Sequence, residues 1–270
     1  VNVDYPYNVV LFFRVFELGQ LDFLPNFTFS SSYLEKFSIN AIDKFTEEGM
    51  DGLFLLNSGS NIFLLLVMIL FYLFLELTLR VMKLPRYPRF KSLLTKVRGE
   101  MKWSAIIKSI EASFMNISMG AFLQIRKLSF ETEVNTLSSL LSISFIILGV
   151  VYLGYCTYII KRKSKEEIEE KYSALVEDFR ESPSICQYFL IISCLKGMLI
   201  ALAIVIFYDY PLVQVTLLFL VSGAILLIVF KNNPYKKTSE KIVKFIQELA
   251  ISVCHGIIFV FYVGIDINER

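Results

Sequence analysis

Six stretches of this chain are apolar enough and long enough to cross a bilayer, and no other feature limits its fold as tightly. A hydrocarbon core about 30 Å thick satisfies no exposed backbone polar group, so a crossing segment is a helix of about 20 mostly apolar residues or a strand of a closed barrel. Segments 60–79, 138–160, 185–207, 211–230 and 245–265 meet the helical requirement outright, and 104–125 is the weakest. The sequence therefore predicts an all-α membrane protein, with an exterior amphipathic segment over 1–59 and a six-helix transmembrane bundle over 60–270.

The loops orient the helices. Arg80, Lys83, Arg86, Arg89, Lys91, Lys96, Arg98 and Lys102 crowd the first connection, Lys161, Arg162, Lys163, Lys165, Lys171 and Arg180 the third, and Lys231, Lys236, Lys237, Lys241 and Lys244 the fifth. The intervening connections hold only Arg126 and Lys127, then the basic-free turn 208–211. Cytoplasmic loops carry the excess of Lys and Arg, so the pattern puts the three basic loops inside and both termini outside. That alternation works only if 104–125 spans, which supplies the evidence its own hydropathy lacks. Asn26-Phe27-Thr28 is a glycosylation sequon in the segment so placed outside, whereas Asn116-Ile117-Ser118 falls within a span.

Apolar residues make up 55% of the chain while the net charge is only +2, so charge is sorted by position and the protein is not globally basic. Nucleic acid is excluded as an expected partner; the bilayer is the expected one. The basic loops serve topology first, and the cluster of Arg80, Lys83, Arg86, Arg89 and Lys91 is in addition a candidate contact for anionic lipid headgroups. Segment 1–59 sums to five negative charges, from eight acidic and three basic side chains, which raises the local cation concentration at the outer face. Within it, 8–24 reads as an amphipathic helix on the outer surface, and Asn57-Ser58-Gly59-Ser60 as a turn that caps the first span. Pro85 and Pro88 break the chain into an interfacial elbow, and 164–181 reads as a charged helix prolonging the third span, with Lys165/Glu169 and Glu167/Lys171 pairs.

Lys196 falls at the midplane of its span, where a lysine costs about 2.5–3.5 kcal/mol on insertion scales, and so demands a partner. Depth along the helices makes Glu111 the first candidate, with Lys108 three residues before it; Asn116 and His255 share the midplane, while Glu76 and Glu248 fall near the inner ends and can reach toward water. The set Lys196, Glu111, Asn116, His255 and Lys108 is either the lining of a polar path or an interhelical clasp. Ala105, Ser109 and Ser113, with Ala112, Asn116 and Gly120, form stripes of small residues that let helices approach closely. Cys156, Cys186, Cys194 and Cys254 all lie within spans and read as small buried hydrophobes. No spacing suggests a metal site, a cofactor loop, a voltage sensor or a carbonyl filter, and a single histidine leaves no sign of a hydrolytic enzyme.

Segment 16–25, Phe-Glu-Leu-Gly-Gln-Leu-Asp-Phe-Leu-Pro, and segment 230–237, Phe-Lys-Asn-Asn-Pro-Tyr-Lys-Lys, resemble the C-terminal membrane region of large multispanning surface proteins of ciliated protists. Those proteins are distantly similar to the TRP-like and polycystin-like proteins. The resemblance implies a larger parent with a cysteine-rich ectodomain, other membrane subunits as partners, and a cell-surface or ciliary membrane. The connection between the last two spans is basic and cytoplasmic, however, where a TRP-type pore needs an exterior loop. The expected role is accordingly a structural subunit or membrane anchor of a larger assembly, with a TRP-like ion channel or a transporter module as the alternative.

Overall fold

A computed structural model describes residues 34–41, 43–47, 49–81, 88–100, 106–164, 167–168, 172, 175–176, 179–181 and 184–268. The expected exterior helix over 8–24, Asn26, Lys83 and Arg86 lie outside them. Among the described residues eight α-helices run in order: α1 (Asp43–Glu47), α2 (Phe54–Val81), α3 (Pro88–Glu100), α4 (Ile106–Arg126), α5 (Glu133–Arg162), α6 (Phe189–Ile206), α7 (Pro211–Asn232) and α8 (Thr238–Asn268). Among the described residues no strand forms beyond one isolated bridge between Phe179 and Tyr235. The fold is all-α, and five segments of the described residues are long and apolar enough to cross a membrane: Phe54–Arg80, Glu133–Arg162, Ser184–Ile206, Pro211–Asn232 and Thr238–Phe261.

The helix ends follow local chemistry. Thr132 caps α5 by accepting from the Asn135 amide at 3.2 Å, with Glu133 in the first turn and Lys161 and Arg162 in the last, each matched to the helix dipole. Pro211 opens α7, where its missing N–H is no loss, and Asn233 closes it in the left-handed conformation at φ 46°. Two expectations are corrected here. Residues 57–60 are not the cap of the first span, because α2 already begins at Phe54; Asp51 holds its first turn, accepting from the Leu53 amide at 2.7 Å and from Ile39 N at 3.0 Å. The third span is not prolonged through 164–181 either: α5 stops at Arg162, Lys163 is extended, and Ile168, Leu175 and Phe179 fold back into the core. Lys165, Glu169 and Lys171 of the expected charge pairs lie outside the described residues.

α4 occupies the middle of the bundle, packed against α2, α5 and α6. Its 21 residues reach about 31 Å at about 1.5 Å each, and its low hydropathy follows from its place. Packed on three helices, it buries Ser113, Ser118 and Gln124 among apolar neighbours, while Lys108, Ala112 and Asn116 stay exposed along another face. At Gly120 a Cβ would stand 3.2 Å from the Asn57 Cβ and 2.5 Å from the Ser58 hydroxyl, so α2 crosses α4 at a distance only glycine permits. Gly197 of α6 also approaches α4 closely, where a Cβ would stand 3.2 Å from the Met115 Cβ. α8, in contrast, packs chiefly along α7, with Phe219 and Phe259 stacked at 5.4 Å, and leaves a cleft toward α4 and α6.

The connections sort themselves to two ends. At one end Lys127 donates to the carbonyls of Asn40 (2.6 Å) and Ala41 (3.2 Å), Arg126 pairs with Asp209 and donates to Val205 O at 2.8 Å, and Phe45 packs on Tyr208. At the other, Arg180 N donates to Pro234 O at 2.7 Å, and Lys236 donates to Val176 O at 3.3 Å. Segments that the charge pattern assigns to one side thus meet one another.

Candidate polar core and charged cavity

Lys196 is paired, and its carboxylate comes from the last helix. Its Nζ donates to both oxygens of Glu248, at 2.6 and 2.5 Å, with each side chain only 12% exposed. The sequence put Glu111 first and left Glu248 to reach for water near an inner end. The reason is where α8 starts. Glu240, Lys241 and Lys244 depress hydropathy and push the apparent start of the span to residue 245, yet the helix begins at Thr238. Glu248 therefore stands ten residues in, about 15 Å along the axis, rather than three. α6 begins near the same end, so the two side chains meet across the cleft.

Deeper in the bundle, His255 Nδ1 lies 3.1 Å from the Ser222 hydroxyl, joining α8 to α7. Ser252, one turn before His255, is buried and its hydroxyl has no partner. Asn116 is exposed on α4, at i+4 and i+8 spacing from Ala112 and Lys108, which are exposed as well. The proposed midplane set is thus divided: Lys196 and His255 join different helix pairs, and Asn116 lies on an exposed face of α4.

Lys108 and Glu111 line a cavity of about 620 Å³ at the end carrying the basic loops. α4 contributes Lys108, Glu111 and Ala112, the start of α6 contributes Phe189, Leu190 and Ser193, and α8 contributes Ser239, Glu240, Val243 and Lys244. Phe179, Phe189 and Tyr235 form one wall, with ring centroids 5.3–5.7 Å apart. Burial pushes the Tyr235 phenol up, and the carboxylates of Glu248, Glu111 and Glu240 add to the shift. The Lys196–Glu248 pair lies one turn along α6 and α8 from the lining residues Ser193 and Lys244.

A second polar centre escaped the sequence reading. Gln124, fully buried at the opposite end, accepts at Oε1 from the Phe54 amide (3.0 Å) and the Ser138 hydroxyl (2.9 Å), while its Nε2 donates to Ser139 Oγ at 3.2 Å. Ser138 Oγ accepts in turn from Leu55 N at 3.3 Å. Residues of α4 and α5 thus satisfy the first amides of α2, which no residue within that helix can do. The only signal in the sequence was a glutamine near the end of an otherwise apolar turn.

Of the candidate lipid contacts, Arg80 is engaged with Glu76 at 3.0 Å, Lys91 is exposed on α3, and Arg89 lies on the same helix. Arg98 reaches the same Glu76 at 3.3 Å and ties α3 back to α2. Cys156, Cys186 and Cys194 are buried free thiols, and Cys254 is a half-buried one. Among the described residues no group of three or more His, Cys, Asp or Glu side chains is arranged to hold a metal ion. No protein-family model, curated protein or solved structure matches this chain.

Proposed function

We propose that the chain is a packed, non-conducting membrane subunit that anchors a larger membrane or surface assembly. The observation that carries this reading is the closure of the charged and strongly polar interior groups from helix to helix: Lys196 on Glu248, His255 on Ser222, and Gln124 on Phe54 N, Ser138 and Ser139. A polar group in the membrane is tolerated where protein or water solvates it, and here protein does so. α2 supports the subunit role, because only 6% of its apolar window is buried within the chain, leaving a long face for lipid or neighbouring subunits. The resemblance to ciliate surface proteins makes a cell-surface or ciliary assembly the expected setting. Reconstitution of the purified chain in liposomes tests the reading: no ion flux is expected under any gradient, and selective flux abolished by Lys196→Ala or His255→Ala would overturn it. The alternative, a TRP-like channel or transporter module, draws its support from the cavity lined by Lys108, Glu111, Glu240 and Lys244.

The same reading assigns sidedness. α4 crosses as the sixth helix, the basic loops are cytoplasmic, both termini are exterior, and Asn26 is the glycosylation acceptor. Single cysteines at Lys91 and Lys237 are expected to resist an impermeant thiol reagent in intact cells, while one at Leu128 reacts; labelling in the reverse pattern would invert the topology.

A further inference from the structure

The first span ends in a cluster of charge that the fold assembles from two helices. Its 27 residues, Phe54–Arg80, reach about 40 Å at about 1.5 Å each, which is the distance from one headgroup region of a bilayer to the other. Arg80, the last of them, therefore stands at headgroup level, with its side chain 76% exposed. Glu76, one turn earlier, accepts from Arg80 Nε at 3.0 Å and, through its second oxygen, from Arg98 Nη1 at 3.3 Å. Arg98 belongs to α3, which packs on α2. A basic loop that served orientation alone would need no such fold. Here α3 returns an arginine across 22 positions of sequence, and two guanidinium groups share the two oxygens of one carboxylate.

Two features select the ligand class. The three side chains carry one net positive charge, two guanidinium groups against a single carboxylate, and the sequence of α3 adds Arg89, Lys91 and Lys96 against Glu100. A guanidinium has five N–H donors in a planar fork that matches phosphate, and Glu76 engages one from each arginine. Charge and donors are thus left over for an anion. The apolar half of the ligand is marked on α2. Leu66, Leu70, Leu73 and Leu77, at i, i+4, i+7 and i+11, are 47–60% exposed and form one stripe, and Arg80 is the next position in the same series. Leu66 to Leu77 spans about 16 Å, close to the hydrocarbon depth of one leaflet, about 15 Å.

We propose that Arg80 and Arg98, held on Glu76, bind the phosphate of an anionic phospholipid whose acyl chain lies along the leucine stripe of α2. The site needs α2 to cross the bilayer; it does not depend on whether the chain conducts or on which side the loop lies, so it stands apart from the anchor reading. Arginine gives phosphate charge-assisted, bidentate hydrogen bonds. A zwitterionic lipid brings an ammonium group into a patch that is already cationic, so the lipid with net negative charge is favoured. A soluble phosphate leaves the leucine stripe unused.

Native mass spectrometry of the full chain in detergent tests the proposal. The probes are dioleoyl phosphatidylglycerol, dioleoyl phosphatidylcholine and soluble glycerophosphoglycerol. One net cation at headgroup level corresponds to a preference of about fivefold for the anionic lipid over the zwitterionic one. That preference is expected to fall to parity or below in Arg80→Gln/Arg98→Gln, and to survive in Lys161→Gln/Arg162→Gln, which removes the same charge from the exposed end of α5. Arg80→Lys/Arg98→Lys keeps the charge but loses the planar fork, and is expected to lose at least half of the preference. Arg80→Gln alone, at an exposed side chain, keeps the test valid where a double variant fails to fold, and is expected to reduce the preference severalfold. Equal retention of the two lipids, an equal fall in both glutamine pairs, an undiminished preference in the lysine pair, or one that survives Arg80→Gln in folded protein overturns the site. Uptake of the soluble compound as strong as that of the lipid overturns the assignment to the bilayer.

Discussion

Lys196→Met is expected to lower the stability of the bundle by about 3 kcal/mol, and Glu248→Gln by a similar amount, because each leaves one charged partner alone in a largely buried site. The double variant Lys196→Met/Glu248→Leu is expected to recover at least half of either loss, since two apolar side chains restore contact between α6 and α8 and strand no charge. Thermal unfolding of the three variants in nanodiscs gives the coupling energy directly. Additive losses would mean that the bidentate contact at 2.6 and 2.5 Å does not set the cost of either side chain. The cycle also bears on function. A clasp predicts large changes in stability and no flux in any variant, whereas path-lining groups predict changed flux with little change in unfolding.

How much of this was legible in the sequence depends on the range of the interaction involved. Spans 138–160, 185–207 and 211–230 emerged with ends within a few residues of α5, the Ser184–Ile206 segment and α7, because the solvent alone sets that pattern. α4 was harder, and for a physical reason: a helix enclosed by α2, α5 and α6 has no need to be apolar throughout, so hydropathy is least informative for the helix at the centre. Charge alternation pointed to a span there, and the structure gives a helix, Ile106–Arg126, that is not among the five long apolar segments. The demand that Lys196 be paired followed from desolvation. The identity of its partner did not, because three charged residues at the start of α8 displaced the apparent span and with it the apparent depth of Glu248. Gln124 gave only the faint signal of a glutamine in an apolar turn, since one of its partners is the Phe54 amide 70 residues away, which becomes an orphan only once α2 begins at Phe54.

Gln124→Leu is the substitution expected to do most damage at the other end of the bundle. Leucine has a similar volume, so packing changes little; the loss is in hydrogen bonding. The Phe54 amide and the hydroxyls of Ser138 and Ser139 each lose a partner within a buried site, and an unsatisfied buried group costs about 1–3 kcal/mol. Ser139 retains the Ser129 carbonyl and Ser138 retains the Leu55 amide, which leaves the Phe54 N–H as the largest single debt. A total near 3 kcal/mol follows. Its location distinguishes this mechanism from general loosening. Amide exchange is expected to accelerate over Phe54–Ser58 and around Ser138, while the amides flanking Lys196 and Glu248 keep their protection until global unfolding. Uniform acceleration across both ends would show that Gln124 supports the bundle as a whole and does not cap α2. Ser139→Ala supplies the graded control, because it removes one acceptor from Nε2 yet leaves both bonds at Oε1, and its expected effect is confined to about 1 kcal/mol.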